Sequence, residues 1–244
     1  MTGTRRPAGA RRTVFPLLLL LLCGLLIALG LWQVQRRAWK HQLIATVEQR
    51  VAADPVPVPG PRVWPAMTRE RDAYRHVRVQ GRFLAGRDTL VQAVTDRGPG
   101  YWVMTPLDTG AFVLLVNRGF VAQAQRQDYA PAPGGPTSVT GLLRLSEPGG
   151  GFLRANDPAG GRWYSRDVAA IAEARRLGPA APYFVDADGS ANRAGAPVGG
   201  LTVIRFADNH LVYALTWFAL AGMCGWGAKR VLRPEDGSAS DGPA

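Results

Sequence analysis

Val14–Leu31 reads VFPLLLLLLCGLLIALGL, eighteen residues without a charge. At about 1.5 Å per residue it approaches the roughly 20 apolar residues that cross a bilayer. Leu211–Ala228, LVYALTWFALAGMCGWGA, is a second run of eighteen. Uncharged flanks lengthen both, Trp32–Gln35 after the first and Asn209 and His210 before the second. The runs divide the 244 residues into an N-terminus (1–13), a first span (14–35), a domain (36–208), a second span (209–228) and a tail (229–244). The overall hydrophobic fraction of 47% hides this segregation. It still excludes a disordered chain and a polytopic channel.

The first span has the basic start of a secretory signal, and Ala28-Leu29-Gly30 loosely resembles a small-residue cleavage site. Its apolar core exceeds the roughly 7–15 residues of such signals, which favours an uncleaved anchor. Orientation follows the basic residues near the span ends. Arg5, Arg6, Arg11 and Arg12 precede the first span, and Lys229, Arg230 and Arg233 follow the second. Both termini are therefore expected on the cytoplasmic side, with the middle outside. Arg36, Arg37 and Lys40 oppose this for the first span, but long loops translocate largely regardless of charge.

The formal charge of +11 spreads along the chain, with 22 Lys and Arg against 15 Asp and Glu between Arg36 and Asp208. There is no dense basic stripe, so nucleic acid is not the expected partner, and membrane lipid is. The two cysteines, Cys23 and Cys224, lie inside the apolar runs and form no CxxC. Thiol exchange and a paired-thiolate metal site are therefore not expected, and a disulfide within the domain, which has no cysteine, is excluded. With only His41, His76 and His210, a three-histidine catalytic metal site is implausible.

Leu43, Ile44, Val47 and Val51 recur at helical spacing, so residues 36–53 continue the first span as a helix. Residues 54–65 are proline-rich and read as an extended linker. Strand patterns follow at His76–Leu84, Asp88–Val94, Tyr101–Leu107, Ala111–Asn117, Val139–Leu145, Tyr183–Val185 and Val203–Phe206. Asp108-Thr109-Gly110 joins two of these as a hairpin. Phe112–Val116 is continuously apolar, which places that strand centrally. Asp167 caps a helix over Asp167–Leu177. The predicted fold is an α+β membrane protein, two transmembrane helices flanking an external antiparallel β-rich domain of small-barrel size.

No P-loop, GxGxxG, GxSxG or HExxH occurs, and no nucleophile–base–acid set presents itself, so an enzyme is not expected. Asp186 and Asp188 beside Gly189 read as a turn rather than a metal site. Arg118 closes the most apolar strand. It reads as an ion-paired strand-end arginine, or as a bidentate donor to a carboxylate or propionate. Trp163, Tyr164 and Arg166 read as core packing, with an interaction surface as the alternative.

On the second span His210, Ala214, Trp217, Ala221 and Gly225 share one helical face. Small residues there admit another helix or a flat ligand. Histidine is a favoured axial ligand of haem iron, whereas an isolated interfacial histidine is commonly a satisfied polar group.

PVGGLTVIRFADNHLVYALTWFALAG (Pro197–Gly222) resembles the closing signature of the surfeit-locus protein one family. LGLWQVQRRAWK (Leu29–Lys40), HVRVQGRF (His76–Phe83), GYWVMTPL with VLLVNRGFV (Gly100–Leu107, Val113–Val121) and RWYSRDV (Arg162–Val168) are similar to its other segments, in order and spacing. The resemblance covers residues 17 to 230. It implies a membrane-embedded assembly factor for cytochrome c oxidase, not an enzyme. Such a factor binds haem a transiently and assists maturation of subunit I, with haem A synthase as a further partner. His210 matches the family's haem-linked histidine and Trp217 the tryptophan seven residues on. Arg205 and Arg118 are the candidates for the haem propionates. The alternative is a haem-free scaffold holding subunit I. Thirteen residues before the first span are too few for a mitochondrial presequence plus anchor, so a bacterial cytoplasmic membrane is expected.

Overall fold

The computed structural model describes residues 8–151, 153–202 and 208–232, with side chains from residue 14 onward. Two units divide the chain, Met1–Ala45 with Arg205–Ala244, and Thr46–Ile204.

Helix α1 (Ala8–Ala52) is a single helix of 45 residues. No glycine or proline interrupts residues 36–52, so it continues where the apolar run ends. Pro55 disfavours helical geometry at Asp54, and the helix stops just before. Helix α4 (His210–Leu232) has 23 residues. Both are long and apolar enough to cross a membrane. Leu17, Leu18, Leu21 and Leu25 on α1, and Val212, Leu215 and Trp226 on α4, turn outward with most of their surface exposed. A stripe of that size suits hydrocarbon rather than water.

Within this unit the helices run antiparallel. Gln33 meets His210, Gly30 meets Phe218, Cys23 meets Ala221 and Gly225, and Leu19 meets Gly227. Ala214, Ala221 and Ala228 are buried at a seven-residue spacing. A Cβ on Gly30 would lie 2.5 Å from the Phe218 ring, so glycine is what lets that ring approach.

The second unit is built from β1 (Val56–Pro57), α2 (Arg69–Asp72), β2 (His76–Phe83), β3 (Thr89–Thr95), β4 (Gly98–Asp108), β5 (Val113–Ala122), β6 (Pro136–Leu145), α3 (Val168–Ala174) and β7 (Ala180–Ala187). The sheet order is β1-β2-β6-β7-β5-β4-β3. Pairing of Arg82 with Asp108 and Phe83 with Leu107 joins β2 to β4 and closes the sheet into a barrel. Gly81 makes that seam possible, because a Cβ there would collide with the Asp108 carbonyl.

The domain is mixed rather than antiparallel as the sequence suggested. β5 and β7 are parallel, as are β1 and β2, while the other pairs are antiparallel. The chain leaves β5, runs through β6 and α3, and returns as β7 between β6 and β5. A strand inserted in this way is antiparallel to β6 and hence parallel to β5, which needs a long crossover.

β5 lies inside the sheet, as its apolar run predicted, and both of its faces are covered. Leu114 and Val116 join Val77, Leu143, Tyr183 and Val185 in the barrel interior. Leu115 faces the other way, with Met104, Trp163, Ile171 and Phe184 beneath α3. Asp167 caps α3 by accepting from the Ala170 N–H at 3.2 Å. The turn at 108–110 is also present, with the Gly110 N–H donating to Asp108 Oδ1 at 2.8 Å. The proline-rich run packs onto the barrel: the Pro59 carbonyl accepts from Tyr183 Oη at 2.6 Å and from Trp64 Nε1 at 3.0 Å. The predicted strand at 203–206 lies outside the described residues.

Candidate functional site

The start of α4 gathers the polar residues of the helical unit. Asp208 precedes the helix and accepts from the His210 N–H at 3.2 Å. A carboxylate here satisfies a free N–H and suits the positive end of the helix dipole. Gln33, Arg37 and His41 recur every four residues on α1 and so share its face. Arg37 Nε donates to Asp208 Oδ2 at 3.3 Å, and His41 Nε2 lies 2.8 Å from the same oxygen.

The imidazole of His210 is half-buried, with Nδ1 2.8 Å from Gln33 Oε1. An amide oxygen only accepts, so Nδ1 is the donor in this contact, and in the neutral tautomer that matches it Nε2 keeps its lone pair. A hydrogen bond to one ring nitrogen fixes the tautomer and orients the other as a metal ligand. Trp217, seven residues on, is half-buried on the same helix. The intervening Ala214 is buried, so the small residues of this face serve helix packing. Among the described residues no three His, Cys, Asp or Glu side chains group as a metal cluster.

Arg205 lies outside the described residues. Arg118 belongs to the barrel unit, on β5. Its Nη2 donates to the carbonyls of Ala130 and Pro131, both at 3.0 Å. Its Nη1 lies 3.9 Å from Asp88 Oδ2. Asp88 in turn accepts from Thr105 Oγ1 at 2.7 Å and Tyr129 Oη at 3.0 Å. Loss of water pulls the Arg118 guanidinium below its usual value, with Asp88 opposing. Burial, then Asp88, pushes the Tyr129 phenol up to about 12.

The turn reading holds for Asp188, which caps the Gly189–Ala191 turn through the Ser190 N–H at 2.9 Å. It fails for Asp186, a buried hub on β7. Asp186 accepts from Asn117 Nδ2 at 2.8 Å, Thr202 Oγ1 at 3.0 Å, Arg144 Nη1 at 3.1 Å and Arg166 Nη1 at 3.2 Å. Glu147 completes the knot, taking Arg166 Nη2 at 2.7 Å. Burial alone would lower the Arg166 guanidinium, but Asp186 and Glu147 outweigh it and raise it. Trp163 is core, 2% exposed.

Sequence reasoning missed Gln33, Arg37, His41 and Asp208. Their signal was a four-residue polar rhythm at the end of one apolar run and an acid just before the other.

The SURF1 family model matches residues 20–222, a stretch containing both Gln33 and His210. The chain is 34% identical over 223 residues to Surfeit locus protein 1 of Mus musculus, covering 83% of this chain and 70% of that protein. It is 33% identical over 224 residues to Surfeit locus protein 1 of Homo sapiens, covering 83% and 72%. It is 30% identical over 224 residues to the SURF1-like protein of Drosophila melanogaster, again covering 83% and 72%.

Proposed function

The chain belongs to the SURF1 family, and from that premise we propose that it is an assembly factor for cytochrome c oxidase that binds haem a and assists its insertion into subunit I. It acts as a carrier, not a catalyst. Its setting is a bacterial cytoplasmic membrane, with both termini cytoplasmic and the barrel outside.

The observation that carries this reading is the His210–Gln33 hydrogen bond. It leaves Nε2 of a half-buried imidazole able to hold the iron of the cargo, at the junction between apolar helices and a charged rim. One neutral nitrogen ligand holds the cargo less firmly than two, which suits delivery. Trp217 offers an apolar ring on the same helix, and the outward leucines of α1 offer a surface for the lipid tail. Arg205, three residues before Asp208, is the proposed partner of a propionate. Haem A synthase would supply the cargo.

The test is the absorption spectrum of the protein purified from a cell that makes haem a. The wild type is expected to carry the pigment, His210→Ala to lose it, and Gln33→Leu to hold it more weakly. An unchanged spectrum in His210→Ala overturns the ligand assignment. A second reading, a haem-free scaffold for subunit I, draws on the burial of Ala214, Ala221 and Ala228. It requires wild-type protein without pigment and subunit I co-purifying with both wild type and His210→Ala.

A further inference from the structure

We propose that the barrel holds a second site, separate from His210, that binds a small organic carboxylate carried on a short apolar stem, with Arg118 as its anchor.

Phe83, Val116, Arg118 and Val139 line a cavity of about 160 Å³, with the exposed Ala191 and the buried Pro197 also in its wall. The volume resembles that of an apolar cavity of roughly 150 Å³ that takes up benzene. It therefore admits a stem of about five or six carbons.

Thr137, Ser138, Thr140 and Ser190 add hydroxyls to a wall otherwise mainly of apolar side chains, and Arg118 is its buried cation. The Arg118 side chain is 9% exposed. Among the described residues, its Nη1 is the buried side-chain nitrogen or oxygen without a hydrogen-bond partner. Such a vacancy is costly for a charged donor. Asp88 does not fill it, because it stands 3.9 Å away and is already engaged by Thr105 and Tyr129. The other ionisable groups of the lining are Arg193 and Asp188. Asp188 is committed to Ser190. Arg193 is exposed and near enough to depress the Arg118 guanidinium further, adding positive potential at the mouth.

A carboxylate matches an arginine N–H that lacks an acceptor. The apolar part of the lining, Phe83, Val116, Val139 and the alanines, favours an anion with an organic stem over a bare inorganic one. All of these residues belong to the barrel unit, so the site stands without the haem reading.

The experiment is calorimetric titration of the full chain in detergent with hexanoate, hexanol and inorganic phosphate, each against a micelle blank. Hexanoate is expected to bind, with hexanol and phosphate each weaker by about tenfold or more. Arg118→Gln is expected to weaken hexanoate by at least about tenfold. Should Arg118→Gln fail to fold, Ala191→Trp decides, since it blocks the exposed rim and leaves Arg118 and Asp88 in place. It is expected to abolish binding with an unchanged circular dichroism spectrum. Equal affinity for hexanol, equal affinity for phosphate, absence of hexanoate binding, or binding undiminished in folded Ala191→Trp would each overturn the proposal.

Discussion

His210 stands out in the sequence because it is the histidine at the edge of an apolar run, and its chemistry depends on a residue 177 positions away. No local pattern points from one to the other, which is why Gln33 was illegible. Asp186 was hidden in the same way: its partners Arg144 and Arg166 sit on other segments, and its neighbour Asp188 invited a turn reading. Asp186→Ala leaves both guanidinium groups without their buried partner. It is expected to destabilise the barrel by about 3–5 kcal/mol in urea unfolding followed by Trp163 fluorescence. Tyr129 makes a prediction with a defined pH window. Its phenol is pushed up to about 12, so its contribution is complete below the ordinary phenol value. That contribution drains away as pH rises from about 10. Tyr129→Phe should flatten the fall in melting temperature over that window, and superimposable curves would refute the assignment.

Elements were more legible than their partners. The unbroken apolar run of β5 marked a strand covered on both sides, and Asp167 marked the start of α3. The parallel pairing of β5 with β7 was not legible, because it follows from where the chain returns after β6 and α3. No property of either strand specifies that. The proline-rich run announced extended backbone, which holds at Val56–Pro57 but gives way to 3₁₀ turns over Pro61–Ala66, and its docking depends on the distant Tyr183 hydroxyl. In the helical unit, Gly30 is the position where α1 admits an aromatic ring of α4. Gly30→Val is expected to push Phe218 aside and loosen the helix pair. The readout is melting in detergent, with a drop of several degrees expected and an unchanged value counting against the packing role.

For the whole molecule, composition is informative only when it is read by position. The charge of +11 suggests nucleic acid until it is distributed along the chain, where it becomes basic span flanks and an arginine-rich domain. Many of those arginines are structural: Arg144 and Arg166 belong to the Asp186 knot, and Arg37 holds Asp208. The proposed topology has a direct check. A reporter active only outside the cytoplasm should work when inserted near Asp128 and stay silent when fused after Ala244. The reverse pattern would invert the orientation.

The seam at Gly81 bears on solubility as well as shape. A closed ring has no free strand edges along β2 and β4. β3, at one end of the sheet, is covered by Trp163, whose carbonyl accepts from the Gln92 N–H at 2.8 Å. Opening the seam would expose two rows of unpaired backbone groups that could recruit other copies of the chain. The hallmark of Gly81→Val would then be light scattering that grows with protein concentration, a colloidal defect arising before any loss of secondary structure.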